Sequence, residues 1–351
     1  MIKKNKTLIG TIRIKVKDCK AYEKTFNSWK KYKIGCSDAL QVIKLFKAHK
    51  NLDVLIDKKD SRFFKGQLSK EGNPQGARIN LLPNGRKLNL AYSLFGKHLT
   101  IHDELSNEHW DVIYQNPCGT YSYLYTMDKK QSATKIKYNK VEQFEKCYPI
   151  LKRGLLRDLK TKDDALTLAM YTLLKTLMRI GNEIYYNAHR HKGLTTIKKK
   201  NILIKGKNVT FNYIGKGGVP LVITEEFPKV YLIKLKRLLN TKKKEDFVFT
   251  NTGTNHPLKE ISFKKAFKDY TGKEFYPHIV RSHFATKQAK QFLKQKNFNK
   301  QDVKEFYLSI AEKLGHKRFV KKDNQWEASF NVTVSHYIDP LIVEKINSMV
   351  K

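Results

Sequence analysis

The chain's 351 residues suit two average domains, and a 40% hydrophobic content provides for real cores, which argues against global disorder. Lysine and arginine number 70 against 32 aspartate and glutamate, a net charge of +38 spread along the whole chain, so the expected partner is a polyanion, nucleic acid above all. No stretch approaches the ~18–20 apolar residues of a membrane span. The first residues, MIKKNKTLIGTIRIKVKD, lack a signal peptide's apolar run, so an intracellular soluble protein is expected, with no membrane partner.

In chain order, the first part reads as strand-rich. TLIGTIRIKVKD alternates and NLDVLID runs apolar; both are expected strands. Between them, CSDALQVIKLFKAHK places Ala39, Val42, Ile43 and Phe46 at helical spacing. ARINLLPNGRKLNLA carries the turn signal Pro83-Asn84-Gly85, and HWDVIYQNPCGTYSYLYTMD reads as two strands about Asn116–Gly119. From VEQFEKCYPILKRGLLRDLK onward the pattern turns helical. In TKDDALTLAMYTLLKTLMRIGNE, Asp163 or Asp164 is the cap, and Leu166, Met170, Leu173, Leu174 and Leu177 form an apolar face. LTTIKKKNILIKGKNVTFNYIGKGG reads as a basic hairpin turning at Gly206-Lys207-Asn208. Helices follow in PKVYLIKLKRLLN, SFKKAFKDYTG, RSHFATKQAKQFLKQ and DVKEFYLSIAEKLGH, with LNTKKKED and KKDNQWE as charged loops. The expected fold class is α+β: a small, mostly-β N-terminal domain (1–145), then a larger, mostly-α domain (146–351) carrying the basic hairpin. Cys19, Cys36, Cys118 and Cys147 lie far apart with no Cys-x-x-Cys pair, which fits a reducing compartment and argues against a zinc site.

Five residues of the second domain form a chemical set: Arg179 in MRIGNE, Lys216 in YIGKGG, Arg281 in PHIVRSHFAT, His316 in KLGHKRF and Tyr337 in SHYIDP. Singly each has a bland reading. Arg179 would complement a helix dipole, GKGG would be a plain turn without P-loop spacing, and a lone His or Tyr is usually core or surface. Together, without a carboxylate cluster or a Cys/His metal set, they are the inventory for metal-free attack on a phosphodiester. Arginine forks hold the negative charge that builds on non-bridging oxygens. A partly desolvated lysine can protonate a leaving oxygen, and a phenol near pKa 10 becomes a nucleophile where positive charge favours its anion.

The order Arg, Lys, Arg, His, Tyr, with RIGNE, GLTT, VTFNYIGKGGV, YTGKEFYPHIVRSHFAT and SHYIDP around it, resembles the catalytic domain of the type IB DNA topoisomerases, poxvirus-like branch, and their relatives the tyrosine recombinases. The resemblance covers most of residues 140–345. It implies that Tyr337 forms a 3′-phosphotyrosyl link, that Arg179 and Arg281 clamp the scissile phosphate, that Lys216 protonates the 5′ leaving oxygen, and that His316 donates to a non-bridging oxygen. It also implies a monomer that clamps duplex DNA, with the N-terminal domain on one face, and needs no cofactor.

Two departures stand out. A charged insertion separates His316 from Tyr337, leaving His278, His283 and His336 as rivals for the histidine role. His278 gives a His-x-x-Arg with Arg281 and either contacts the phosphate or sits on the DNA face. Lys198, Lys199, Lys200, Lys205 and Lys207 are candidate phosphate contacts or solvated surface charges. The same chemistry serves a site-specific recombinase, the alternative reading. GLTT, the strand-rich N-terminus and the 14 residues after Tyr337 favour strand relaxation over it.

Overall fold

The structure is a computed structural model, and it describes residues 7–33, 36–102, 110–117, 119–295 and 297–350. Residues 1–6, which open the N-terminal reading, and Cys118 lie outside the described residues. The chain packs as two compact units, Met1–Ile136 and Lys137–Lys351.

The N-terminal unit is built from short antiparallel strands. β1 (Ile12–Ile14), β2 (Ala21–Lys24), β3 (Trp29–Lys31), β4 (Gln67–Leu68) and β5 (Pro74–Gln75) make one sheet in the order β3-β2-β1-β4-β5. β6 (Ile79–Leu81) and β7 (Lys87–Tyr92) pair across the expected turn, where Gly85 takes φ +86°. β8 (Lys97–Ile101), β9 (Val112–Gln115) and β10 (Tyr121–Leu124) form a third sheet. The helix α1 (Ser37–Ala48) buries Ala39, Val42, Ile43 and Phe46, the face read from the sequence, against Leu55, Phe64, Ile79 and Tyr92. One expectation fails here. NLDVLID is not a strand; Leu52–Leu55 is a single 3₁₀ turn after α1. Four residues, three of them apolar, are too short for a period that separates strand from helix.

The second unit is mostly helical. α2 (Met127–Thr161) is one 35-residue helix, so the composition change near residue 145 falls inside it and the units divide at Ile136/Lys137. α3 (Ala165–Thr176) starts where the Asp164 carboxylate accepts from Thr167 N at 2.7 Å, as expected for a cap. α4 (Glu183–His189) follows, and then three strands: β11 (Ile202–Lys205), β12 (Asn208–Ile214) and β13 (Pro220–Glu226). The basic hairpin is β11–β12, and β13 adds a third strand in full register from Asn208↔Glu226 to Ile214↔Pro220. Helices α5 (Lys229–Asn240), α6 (Glu260–Thr271), α7 (Ile279–Phe292) and α8 (Lys300–Lys313) come next. KKDNQWE is a second correction. It is the tip and return strand of a hairpin, β14 (Lys317–Val320) with β15 (Gln325–Ala328). Its cross-strand pairs Phe319↔Trp326 and Arg318↔Glu327 account for the strand form. α9 (Asn331–His336) and α10 (Pro340–Met349) close the described chain. A single apolar core, running from Phe144, Leu151 and Leu155 of α2 through Leu173, Phe211, Phe227 and Phe267 to Ile338 and Ile346, holds this unit together.

Candidate active site

Arg179 is delivered by a helix stop and a close backbone crossing. α3 ends because Leu177 takes the left-handed conformation, φ +56°, which swings the chain out of the helix two residues before Arg179. The returning segment at Gly193 then packs directly on it. A Cβ at Gly193 would lie 2.5 Å from Arg179 O, 2.6 Å from Gly181 N and 2.8 Å from Ile180 C; one at Gly181 would lie 2.2 Å from Thr196 Oγ1. Leu194 N donates to Arg179 O at 2.8 Å, and Thr195 Oγ1 donates to Gly181 O at 3.0 Å. RIGNE and GLTT are thus one device, two glycine-bearing backbones locked face to face.

The half-buried Arg179 guanidinium donates from Nη2 to the Tyr337 hydroxyl at 2.8 Å. Arg281, in the first turn of α7, is 3% exposed and held on three sides. Its Nη1 donates to Leu177 O, and its Nη2 donates to Leu314 O at 2.8 Å and to His316 Nε2 at 3.0 Å. Its Nε–H is buried with no partner, a donor still open to an acceptor. The guanidinium carbon lies 5.1 Å from the Tyr337 ring centroid. Burial lowers the Arg281 pKa, and the Tyr337 oxygen opposes that shift.

His316 sits 4.7 Å from the Tyr337 ring, centroid to centroid. The insertion does not part them, because Ser329 N donates to His316 O at 2.9 Å and returns the chain to its departure point after the β14–β15 hairpin. Arginine only donates, so His316 Nε2 is the acceptor, and Nδ1–H donates to the Thr333 hydroxyl at 2.7 Å. Desolvation, then the charges of Arg281 and Arg179, push the imidazole down to about 3. His278, at the start of α7, lies 4.9 Å from the Tyr337 ring; desolvation and then Arg281, Arg179, Lys137 and Lys216 lower its pKa. The other rivals are elsewhere. His283 is buried between Phe144 and Tyr148, and the exposed His336 ring meets the Ser335 hydroxyl.

Lys216 is exposed on the turn joining β12 to β13. It lines a cleft together with Arg179, Arg281, Lys192, Lys313 and Tyr213 over a floor of Leu177, Leu221 and Leu314. Tyr337 is buried to 2% exposure and does not line that cleft; Arg179 and Arg281 both line it and both reach Tyr337. Of the five candidate lysines, Lys198 and Lys200 pair with Glu245, Lys199 donates to Lys242 O, Lys207 meets Glu226, and Lys205 is exposed. Sequence reasoning missed Thr333, whose position four residues before Tyr337 in a helical stretch is a readable signal. It also missed Lys137, whose ammonium is 5.7 Å from the Tyr337 ring. Among the described residues no group of three or more His, Cys, Asp or Glu side chains could hold a metal ion, and no helix is long and apolar enough to cross a membrane.

The fold thus sets the Tyr337 hydroxyl on one arginine, with a second arginine and a histidine against its ring. The family model for the catalytic core of eukaryotic DNA topoisomerase I matches residues 126–336, more than half of the sequence, and the chain belongs to this family. It is similar to DNA topoisomerase 1B of Acanthamoeba polyphaga mimivirus, 24% identical over 224 residues, which are 58% of this chain and 66% of that one. The chain thus spans just under two thirds of that relative's length. Two crystal structures of XerH site-specific recombinase are also similar. One is bound to difH substrate before cleavage (TM-score 0.35, 19% identity, 59% of this chain and 52% of that one). The other is bound to palindromic difH after cleavage (TM-score 0.34, 17% identity, 59% and 51%).

Proposed function

We propose that the protein relaxes supercoiled duplex DNA as a type IB topoisomerase, by transient cleavage of one strand, rotation and religation. The observation that carries this reading is the hydrogen bond from Arg179 to the Tyr337 hydroxyl inside a ring of cations. In the proposed reaction the Tyr337 hydroxyl gives up its proton to water, and its oxygen forms a bond to phosphorus while the bond from phosphorus to the 5′ oxygen breaks, leaving a 3′-phosphotyrosyl ester. Lys216 hands its proton to the departing oxygen; its place on an exposed turn at the cleft rim suits a group that moves onto bound DNA. Arg179 and the open Nε–H of Arg281 take the charge developing on the non-bridging oxygens. The ester conserves the bond energy, so religation calls for neither nucleotide nor metal.

His316 completes the set through a tautomer exchange. With Nε2 occupied by Arg281 it cannot donate to phosphate. A hydroxyl both donates and accepts, so Thr333 can reverse its bond to Nδ1 and leave the proton on Nε2, facing a bound oxygen. The partner in this reading is duplex DNA bound by a monomer, with the N-terminal unit as the clamping domain and Lys205 and Lys216 among the phosphate contacts. The family match over 126–336 favours this over a site-specific recombinase.

The test is to incubate the protein with supercoiled plasmid in EDTA without nucleotide, then denature and map any protein–DNA adduct. Relaxation with an adduct on Tyr337, both lost in Tyr337→Phe while DNA is still bound, is the expected result. An adduct elsewhere, or products joined between paired sites, would overturn the reading.

A further inference from the structure

The nucleophile stands at a place where backbone needs help. α9 is six residues long and ends at Tyr337, whose φ −124° and ψ −23° leave the helical region. Carbonyls at a helix C-terminus have no intrahelical donor. Here three consecutive ones each receive a side chain. Lys137 Nζ donates to His336 O, Thr286 Oγ1 to Tyr337 O at 3.2 Å, and Tyr138 OH to Ile338 O at 2.6 Å. Two of the three donors are neighbours on α2, and the third comes from α7. Lys137 adds something the other two lack, a charge held 5.7 Å from the Tyr337 ring centroid at the negative end of α9.

We propose that Lys137 is a positioning residue for the nucleophile: bound to the His336 carbonyl, it fixes the 336–338 backbone so that the Tyr337 hydroxyl stays on Arg179. The proposal rests on the reading of Tyr337 as nucleophile. Burial lowers the Lys137 ammonium to about 8, so it is still mostly charged at neutral pH. The side chain is half-buried with its ammonium beside the Tyr337 ring, unlike the exposed Lys205 and Lys216.

The test uses the full chain and a nicked duplex that traps the covalent adduct, read as single-turnover cleavage rate alongside DNA affinity and melting temperature. Lys137→Met keeps the aliphatic stem and removes the donor. Its cleavage should fall by roughly tenfold to a hundredfold, as for a misplacement of up to about 1 Å, with affinity within about twofold of wild type. Lys137→Arg restores a donor and a charge and should recover most of the rate, which a general loss of packing would not allow. Tyr138→Phe removes one hydroxyl from the same clasp and should move the rate the same way, so the proposal does not hang on one variant folding. Wild-type cleavage by Lys137→Met overturns it. So does a loss confined to affinity, which would make Lys137 a phosphate contact. A rate recovered with a sulfur leaving group at the 5′ position would make it the proton donor instead, and overturns it too. Absence of any adduct from the wild-type protein would count against the proposed function itself.

Discussion

Replacing Gly193 by alanine tests how Arg179 is held. The new Cβ would meet Arg179 O, Gly181 N and Ile180 C at 2.5, 2.6 and 2.8 Å, where ordinary contact begins at 3.4 Å. All three are backbone atoms of the segment bearing Arg179, so no flexible side chain can step aside. The two segments must part by roughly 0.6–0.9 Å, breaking or stretching the Leu194 N to Arg179 O bond of 2.8 Å. A misplacement near 1 Å costs about a hundredfold in rate, or roughly 2.7 kcal/mol of barrier. The overpacking itself costs about 1–3 kcal/mol of stability. Single-turnover cleavage of a nicked duplex, with affinity measured in parallel, should therefore show a rate loss near a hundredfold and affinity close to wild type. Cleavage within twofold of wild type would refute the argument, since Arg179 would then not depend on the crossing of the two segments.

The two arginines should differ in what they support. Arg281→Ala strips donors from two buried carbonyls and from His316, and should cost about 3–5 kcal/mol of stability in denaturant unfolding as well as activity. Arg179→Ala removes its bond to one hydroxyl from a half-buried side chain, and should suppress cleavage while leaving the unfolding midpoint within about 1 kcal/mol. Stability should also fall with acid. His316 and His283 are buried and held down to about 3 and about 4, below the unfolded value near 6.5. The unfolded chain binds the extra protons, so this contribution is complete above pH 6.5 and is lost as pH falls toward 4. It amounts to an order of 2 kcal/mol per histidine between pH 7 and 5. Unfolding free energy that stays flat over that window in both wild type and a His283→Gln variant would contradict it.

The parts of this molecule that were legible in the sequence share one property: their geometry requires a particular residue type. Leucine spacing foretold α3 and its Asp164 cap, Pro-Asn-Gly foretold the β6–β7 turn, and the Gly-bearing texts around Arg179 are a backbone crossing that only glycine permits. Arg179, Arg281, His316 and Tyr337 form a chemical set in the sequence, and the fold brings them into contact across as many as 158 residues. Lys216 was placed on its turn, at the cleft and not against Tyr337. The β14–β15 hairpin reads as a loop in the sequence because its strands are short and charged, with pairs visible only once the register is known.

Lys137 shows where such reading stops. It lies among Lys129, Lys130, Lys135 and Lys140 on one lysine-rich helix, and nothing in the local text sets it apart. Its partner is a main-chain carbonyl 199 residues away. Every residue has a carbonyl, so the accepting side of that bond leaves no trace in the sequence, and the donating side looks like any surface lysine. The same holds for Tyr138 and Thr286, which meet the next two oxygens. Contacts between specific side chains constrain two positions and can be inferred as a pattern; contacts from side chain to backbone constrain one. The apparatus that holds Tyr337 is built mainly of the second kind, and for that reason the candidate reacting groups are legible in the sequence while their supports are found only in the fold.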